Sequence, residues 1–437
     1  MQLDDNSKVA VMGGGPAGAF FAYFLLELAE RVGMELNVDV YDPKDFMKNA
    51  PSGCNMCGGI ISESLVQSLA TEGINLPPPI VQRGIEAYEL HMDVGDVRIE
   101  APNLEQRIGA VFRGAGPRGD EKTKTGFDGH LQKLAEGRGA KWISERITQV
   151  SRNEDEAGKI IVQTKNDNSG IYDLLVVACG LNTSGLKIFE TMDLPYKAPA
   201  STKTFIREYR LGEDVIEQTL GNAMHVFLLD IPHVEFAALI PKGDYVTFCM
   251  LGSSINQEIV KTFLDAPEVR PCFPKGFPID KGDCQCMPRL STRGAKTPYA
   301  DRIVFIGDAG VTRLYKDGIG AAYKIAKAAA TTAIFHGISR NDFHTHFRPA
   351  CRKLLIDNAL GRLVFFVTGQ IQSYRFARAA MRRAVIREQK LGKGPRWMSS
   401  VLWDTFTGSA PYLEIFIRAL RPSVWMRLIS YCAAALI

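Results

Sequence analysis

VAVMGGGPAGA, residues 9–19, decides the fold. The apolar run Val9, Ala10, Val11 and Met12 reads as a buried strand, and residues 16–32 continue as a long apolar helix. Between them Gly13, Gly15 and Gly18 fill a G-x-G-x-x-G pattern. The first glycine permits a tight turn, the second lets backbone approach a pyrophosphate, and the third lets helix and strand pack closely. Pro16 stands in the first helical turn, where a missing N–H costs nothing. With Ala17 and Gly18 it opens a helix whose N-terminus suits phosphate. A second β-like run, VDVYD (residues 38–42), ends in Asp42, about 20 residues on, where such folds place an acid against a ribose diol. A turn residue before Pro43 is the alternative. Strand, glycine turn, helix and acid together predict a dinucleotide site on a Rossmann-type unit.

The chain has 437 residues, 46% hydrophobic and 23% charged, and a net charge of +4. Its length asks for two or three cores. The modest charge gives no reason to expect nucleic acid. Residues 1–8 are polar and lack a secretory pattern, and nine cysteines suit reduced thiols, so a cytoplasmic protein is expected.

Beyond the first unit, residues 49–62 hold Cys54 and Cys57, followed by Gly58 and Gly59. A metal would need about four ligands, and the other close pair, Cys284 and Cys286, is remote in sequence. A redox dithiol is the second reading. The favoured one is a glycine loop passing under a cofactor ring, with Cys57 as its chemically interesting side chain and no metal. Residues 80–99 and several runs between 198 and 283 alternate as strands of a separate β-sheet. The glycine-rich stretch 107–119 carries Arg113 and Arg118, either of which can reach a cofactor phosphate or lie in solvent. A helix is predicted over 127–139. Residues 171–180, IYDLLVVACG, read as one strand buried on both faces. At 302–322 a further buried strand delivers Gly307 and Asp308 at its C-terminal end, where open α/β sheets bind ligands. Asp308 then serves a ribitol hydroxyl or caps a turn. Gly318, Ile319 and Gly320 lead into a helix expected from Ala321, whose N-terminus stabilises negative charge on a reduced ring.

The glycine motif with Gly307-Asp308 some 290 residues later resembles the FAD-dependent group built like para-hydroxybenzoate hydroxylase. Within it the chain looks most like the geranylgeranyl reductase family. The Cys57-Gly58-Gly59 loop, the Phe127-Asp128…Leu131 helix and FAALIPKGD (residues 236–244) carry that likeness. The departures are Phe236 and Ala238 where the family's cavity motif has tyrosine and tryptophan, Ile240 before Pro241, and Ala178-Cys179-Gly180 in place of Ala-Asp-Gly. The resemblance implies FAD, held by Gly13, Gly15, Pro16, Ala17, Gly18, Asp42, Gly58, Gly59, Arg113, Gly307, Asp308, Gly318, Ile319 and Gly320. It implies a discontinuous Rossmann-type FAD domain (1–79, 105–197, 284–340), an inserted antiparallel β-sheet substrate domain (80–104, 198–283) and a helical C-terminal region (341–437). It implies reduction of C=C bonds in an isoprenoid, lipid or quinone-like substrate, with Cys57 the candidate catalytic side chain. No second G-x-G-x-x-G marks NAD(P)H, so NAD(P)H and a reduced redox protein both stand as electron donors. A flavin monooxygenase on an aromatic substrate, or an FAD electron-transfer component, are the alternatives on this fold.

Residues 375–396 hold eight basic residues (Arg375, Arg378, Arg382, Arg383, Arg387, Lys390, Lys393, Arg396) against Glu388. Trp397, Trp403, Phe406, Tyr412, Phe416 and Trp425 follow, and the chain ends in LISYCAAALI, shorter than the ~20 residues that span a bilayer. Peripheral attachment to the cytoplasmic membrane face is expected; a packed helical cap or dimer contact is the alternative.

Overall fold

In the computed structural model, residues 1–48, 57–101, 108–117, 126–156, 158–390 and 396–422 are described. Cys54, Arg118, Lys393, Trp425 and the terminal run 428–437 therefore lie outside the described residues. The chain forms two compact units: Met1–Cys54, Arg113–Ser201 and Arg289–Ile356 in the first, and Asn55–Phe112, Thr202–Pro288 and Asp357–Ile437 in the second. The C-terminal helices group with the second unit.

The first unit holds the six-stranded sheet that the opening motif predicts. Its order is Tyr299–Ala300, Ile303–Phe305, Leu174–Val177, β1 (Lys8–Met12), β2 (Asn37–Tyr41) and Lys141–Ile143. Every pair is parallel except the first. Leu174–Val177 is buried throughout, as a strand covered on both faces must be. Helix α1 (Pro16–Arg31) is sheathed almost all round. Its Phe20 and Phe24 rings meet Tyr323 of the helix Gly318–Phe335 at 5.7 and 5.5 Å. That second helix starts at Gly318, three residues before the expected Ala321, because Asp317 caps it.

The run IYDLLVVACG is not one strand. Tyr172 ends Ser169–Tyr172, which pairs antiparallel with Lys159–Thr164, and only Leu174–Val177 joins the parallel sheet. The break is Asp173, whose carboxylate accepts the Lys8 N–H at 3.0 Å and faces Lys159 and Arg302 at 3.4 and 3.7 Å. A carboxylate with those partners belongs at an edge, so the chain changes sheets there.

The second unit carries a seven-stranded sheet in the order Cys284–Cys286, Phe205–Arg210, Tyr245–Gly252, Val234–Lys242, Ala223–Phe227, Ala87–His91 and Val97–Glu100. All neighbours are antiparallel except Ala223–Phe227 with Ala87–His91. Pro241 sits in an inner strand but beyond the Ala237–Leu239 segment that pairs with Ala223–Phe227, so its missing N–H breaks no ladder on that side.

In the helix Arg375–Lys390 the basic residues divide: Arg375, Arg383, Arg387 and Lys390 are exposed, while Arg378 and Arg382 turn to the Asp93–Asp96 loop. Arg378 is buried, donates to Asp93 at 2.7 and 3.0 Å, and also bonds the Gln372 carbonyl. Arg382 donates to the Asp96 carbonyl at 3.0 Å, and Arg375 lies 3.5 Å from Asp93. Trp403 and Phe406 are buried against Tyr88, with ring centroids at 5.0 and 5.5 Å. These basic and aromatic residues therefore cap the sheet. The Arg378 guanidinium holds the Asp93 carboxyl below the usual carboxylate range. A depressed folded pKa contributes stability above the unfolded value near ~3.9 and loses it as pH falls through the folded one. Arg378→Ala is expected to cost about 2 kcal/mol in urea unfolding, less than a sealed pair because Asp93 is one-third exposed. Asp93→Asn should flatten the acid limb of the stability profile.

Candidate functional site

Gly13 and Gly18 need their missing side chains. Gly13 has φ +106°, and a Cβ on Gly18 would lie 1.9 Å from the Gly13 carbonyl oxygen. That contact seats α1 on the turn after β1, as the third glycine of the motif is meant to do. Gly14 is equally constrained, since a Cβ there would fall 2.0 Å from the Trp142 ring.

Gly15 is the N-cap of α1, with Pro16 first in the helix, no side-chain cap and no acid in the first turn. The open helix end therefore keeps its N–H donors and its positive dipole end for an anion. A Cβ on Gly15 would meet only one atom within 4 Å, Arg113 Nη2 at 3.2 Å. Arg113 is held there by Asp128, from the first turn of the helix Phe127–Gly137. Its Nε lies 3.1 Å from both carboxylate oxygens and its Nη2 lies 2.6 Å from Oδ2. The Asp128 side chain is 2% exposed, so the guanidinium is oriented by a nearly sealed partner.

Asp42 follows β2, nearly buried, and accepts the Gly14 N–H at 2.7 Å and the Lys44 N–H at 2.9 Å. It thus fastens the glycine turn, and burial pushes its carboxyl above the ordinary range against those two bonds. Each oxygen keeps a lone pair for a sugar hydroxyl. Cys179 stands where the resembled family has aspartate; burial pushes its thiol up to about 11, so this position is neutral.

Gly307 has φ +59°, and a Cβ on it would be 2.7 Å from Ala17 Cβ, so the Gly307-Asp308 turn abuts the first turn of α1. Burial raises the Asp308 carboxyl, while a Thr312 hydrogen bond and the Arg113 charge lower it. At the next helix the Asp317 side chain, itself paired with Arg313 at 3.4 Å, accepts the Gly320 N–H at 3.2 Å. Gly320 is therefore spoken for; Gly318 has nothing within 4 Å of its missing Cβ. Gly13, Gly15, Pro16, Ala17, Gly18, Asp42, Arg113, Gly307 and Asp308 are thereby gathered around the turn and the start of α1, and Gly318, Ile319 and Gly320 open the helix that packs on α1. Asp128, Trp142 and Asp317 went unremarked as site residues in the sequence; only Asp317, in D-G before an apolar helix, carries a start signal there.

The other predicted residues, Cys57, Gly58 and Gly59, belong to the second unit. Gly59 has φ +66°, and a Cβ on it would be 2.0 Å from the Val111 oxygen and 2.8 Å from Lys242 Nζ. A Cβ on Gly58 would lie 3.3 Å from Ile240 and 3.8 Å from Cys249. The Gly59 N–H donates to Cys57 Sγ at 3.3 Å. Lys242 ends the strand Val234–Lys242, fully buried, with no hydrogen-bond partner for Nζ among the described residues. Nζ lies 5.0 Å from the centre of the Phe112 ring. Burial drives its pKa down, against the charges of Glu208, Cys57 and Cys249. Lys242 stands within FAALIPKGD, where nothing in the sequence marks it apart from its neighbours.

No family model matches the chain. Geranylgeranyl diphosphate reductase from a Synechocystis strain is 22% identical over 341 residues, 75% of either chain. A geranylgeranyl bacteriochlorophyll reductase-like protein from Thermoplasma acidophilum superposes with a TM-score of 0.65 at 14% identity, covering 98% of this chain and 100% of that one. Halogenase PltM in complex with phloroglucinol and FAD superposes with a TM-score of 0.60 at 13% identity, covering 98% of this chain and 91% of that one. The chain has the FAD-dependent oxidoreductase fold and is geranylgeranyl reductase-like. The likeness read from Gly13-Gly15-Gly18, Gly307-Asp308 and the Cys-Gly-Gly loop is thus borne out.

The glycine turn fits a dinucleotide: an uncapped helix end, an oriented guanidinium and a carboxylate at the second strand are the donor and acceptor set that a pyrophosphate and ribose require. Arg113→Ala is expected to weaken flavin retention about tenfold and to lower stability by ~3 kcal/mol, because Asp128 is left buried without its cation. Flavin content after gel filtration and urea titration read the two effects separately.

Proposed function

We propose that the protein is an FAD-dependent reductase of C=C bonds in an isoprenoid or related lipid. The observation carrying this reading is the Gly13–Gly18 turn with Arg113 set against Gly15. The sequence likeness to geranylgeranyl diphosphate reductase supports the substrate class. FAD, when bound and reduced, supplies a hydride; the protein supplies everything else. The open end of α1 and Arg113 would hold the pyrophosphate, Asp42 would take the ribose, and Asp308 would take the ribitol chain. Saturating a double bond needs one hydride and one proton. Cys57 Sγ delivers that proton, and the Gly59 N–H bonded to Sγ stabilises the thiolate left behind. Lys242 Nζ holds the replacement proton.

The lipid setting is supported by an apolar face left exposed among the described residues of the second unit. Leu363, Phe366 and Val367 are exposed, as are Leu413, Ile417 and Leu420, Phe366 by 64%. Among the described residues one helix, Arg340–Ser373, is long and apolar enough to cross a membrane by length and composition. We assign this face to a cytoplasmic membrane surface, which it enters without crossing. Phe366→Asp with Ile417→Asp is expected to abolish co-flotation with anionic lipid vesicles while leaving flavin content unchanged.

The deciding assay is anaerobic. The purified protein should show flavin absorption, be reduced by NADPH, NADH or a low-potential donor, and then saturate an isoprenoid diphosphate with oxygen excluded. A product that gains oxygen and forms only in air makes the protein a monooxygenase. Flavin reduced only by a redox protein, with no turnover of any lipid, makes it an electron-transfer component.

A further inference from the structure

Two histidines and a cysteine, far apart in sequence, meet inside the second unit. His91 ends Ala87–His91 and His225 lies in Ala223–Phe227, a parallel pair in which His91 stands opposite Phe227. His225 is two residues before Phe227, so both imidazoles project from the same face of the sheet. Cys272 comes from the short turn Arg270–Cys272, packed in the core cluster that also holds Phe227. All three side chains are buried.

Their ligand atoms form a small triangle. His91 Nε2 and His225 Nδ1 are 2.8 Å apart, and Cys272 Sγ lies 3.8 Å from the first and 3.7 Å from the second. A point about 2 Å from all three corners exists, and a small step out of the plane reaches ~2.0–2.1 Å to nitrogen and ~2.3 Å to sulfur.

The outer nitrogens are engaged in the way that fixes metal ligands. His225 Nε2 faces the Leu220 carbonyl at 3.1 Å, and a carbonyl can only accept, so this nitrogen carries the proton and Nδ1 is bare. His91 Nδ1 faces the Asp96 carboxylate at 3.1 Å, so it too carries a proton, and Nε2 is directed at Cys272 and His225. A carboxylate and a carbonyl behind two imidazoles are the outer partners that set tautomer and ring orientation at metal centres. With both outer nitrogens protonated, His91 Nε2 and His225 Nδ1 present two lone pairs to each other at 2.8 Å, an arrangement that a shared cation satisfies. With one, each nitrogen has a partner and no imidazole need be charged.

We propose that His91, His225 and Cys272 bind one zinc ion, which clamps the Arg270–Cys272 turn to the two strands. Two imidazoles and a thiolate select a borderline-soft cation over magnesium or calcium. The three ligands leave a fourth position for a solvent molecule. This site is independent of the flavin reading and of the Cys54, Cys57, Cys284 and Cys286 set considered from sequence. Binding displaces the thiol proton, which passes to solvent.

The full-length protein, stripped with a chelator, is titrated with cobalt(II) and then zinc. The expected result is one equivalent of cobalt with a thiolate-to-cobalt band in the near ultraviolet, displaced by one equivalent of zinc, and a melting temperature several degrees higher with zinc. Cys272→Ser should remove the band, and it and His225→Ala should each weaken zinc at least 100-fold. Cys351→Ser, at another buried thiol, should change nothing. Should the variants fail to fold, X-ray absorption on zinc-loaded wild type decides, with one sulfur and three nitrogen or oxygen neighbours expected, two of them imidazole nitrogens. No cobalt or zinc uptake, a sulfur-only shell, or full zinc retention by folded Cys272→Ser overturns the proposal.

Discussion

Gly18→Ala is expected to purify with no flavin. The added Cβ would sit 1.9 Å from the Gly13 carbonyl oxygen and 3.2 Å from Val11, and the first of these neighbours is backbone that cannot swing aside. Either the turn opens or α1 lifts from β1, and both move the N–H donors from the pyrophosphate position. With several hydrogen bonds and the helix dipole lost together, affinity should fall at least 100-fold, about 3 kcal/mol or more. Two companion variants separate a lost cradle from a lost fold. Gly15→Ala keeps an ordinary backbone, since Gly15 has φ −66°, but its Cβ would press the Arg113 guanidinium at 3.2 Å and shift it by a few tenths of an ångström. It should fold normally and bind flavin more weakly. Gly137→Ala, with nothing within 4 Å at the end of a helix, should keep full flavin and gain up to ~1 kcal/mol. The flavin-to-protein absorbance ratio and thermal unfolding measure all three. Stoichiometric flavin in Gly18→Ala would remove the basis for placing the cofactor at this turn.

What could be read from the sequence divides by how short its pattern is. The turn at Gly13–Gly18, Pro16 at the helix start, Asp42 after the second strand and Gly307-Asp308 after the last were all legible. Each shows as a short pattern of glycine, proline or acid beside an apolar run, although Asp42 and Gly307 then make their contacts far along the chain, on Gly14 and Ala17. Boundaries failed where one apolar run served two sheets, as at Tyr172-Asp173-Leu174, because periodicity cannot tell one long strand from two short ones. The basic helix was legible only in part, for a related reason. The spacing of Arg375, Arg378 and Arg382 is the same whether the guanidinium groups face lipid or, as here, the Asp93–Asp96 loop. Asp128 against Arg113, and His91 against His225, could not be read at all. Those contacts join segments brought together only when the sheets form, and single histidines on apolar strands carry no mark of their partners. Asp317 was half legible: its D-G signal marks a helix start, yet its φ of +52° is unusual for a residue with a side chain.

Lys242→Met should separate stability from catalysis. Nζ is fully enclosed with no hydrogen-bond partner among the described residues, and desolvation outweighs Glu208 in setting its pKa, which is lowered. A lysine with a depressed folded pKa destabilises the native state at neutral pH, because the unfolded chain takes up the proton more readily. Stability then rises with pH between the folded value and the unfolded ~10.4, where the unfolded state binds more protons. Methionine fills much of the same volume without the ammonium, so the variant should match or exceed wild-type stability at pH 7 and lose that alkaline rise. Activity should move the other way. Without the proton held at Nζ beside the Cys57–Gly59 loop, turnover should fall about 100-fold or more, within the range that positioned proton transfer contributes. The limb of the wild-type pH–rate profile that descends as Lys242 deprotonates should vanish with it. Lys242→Arg, too large for the enclosed site, should lose both stability and turnover. The opposite pattern is equally readable: a methionine variant several kcal/mol less stable, with normal turnover per folded molecule, makes Lys242 a structural counter-charge for Glu208, itself bonded to Thr247 at 2.7 Å. A buried amine against a glycine at φ +66°, on a strand otherwise apolar from Phe236 to Pro241, is hard to explain by packing alone. Its desolvation cost is what a proton-handling group at a reaction site would carry.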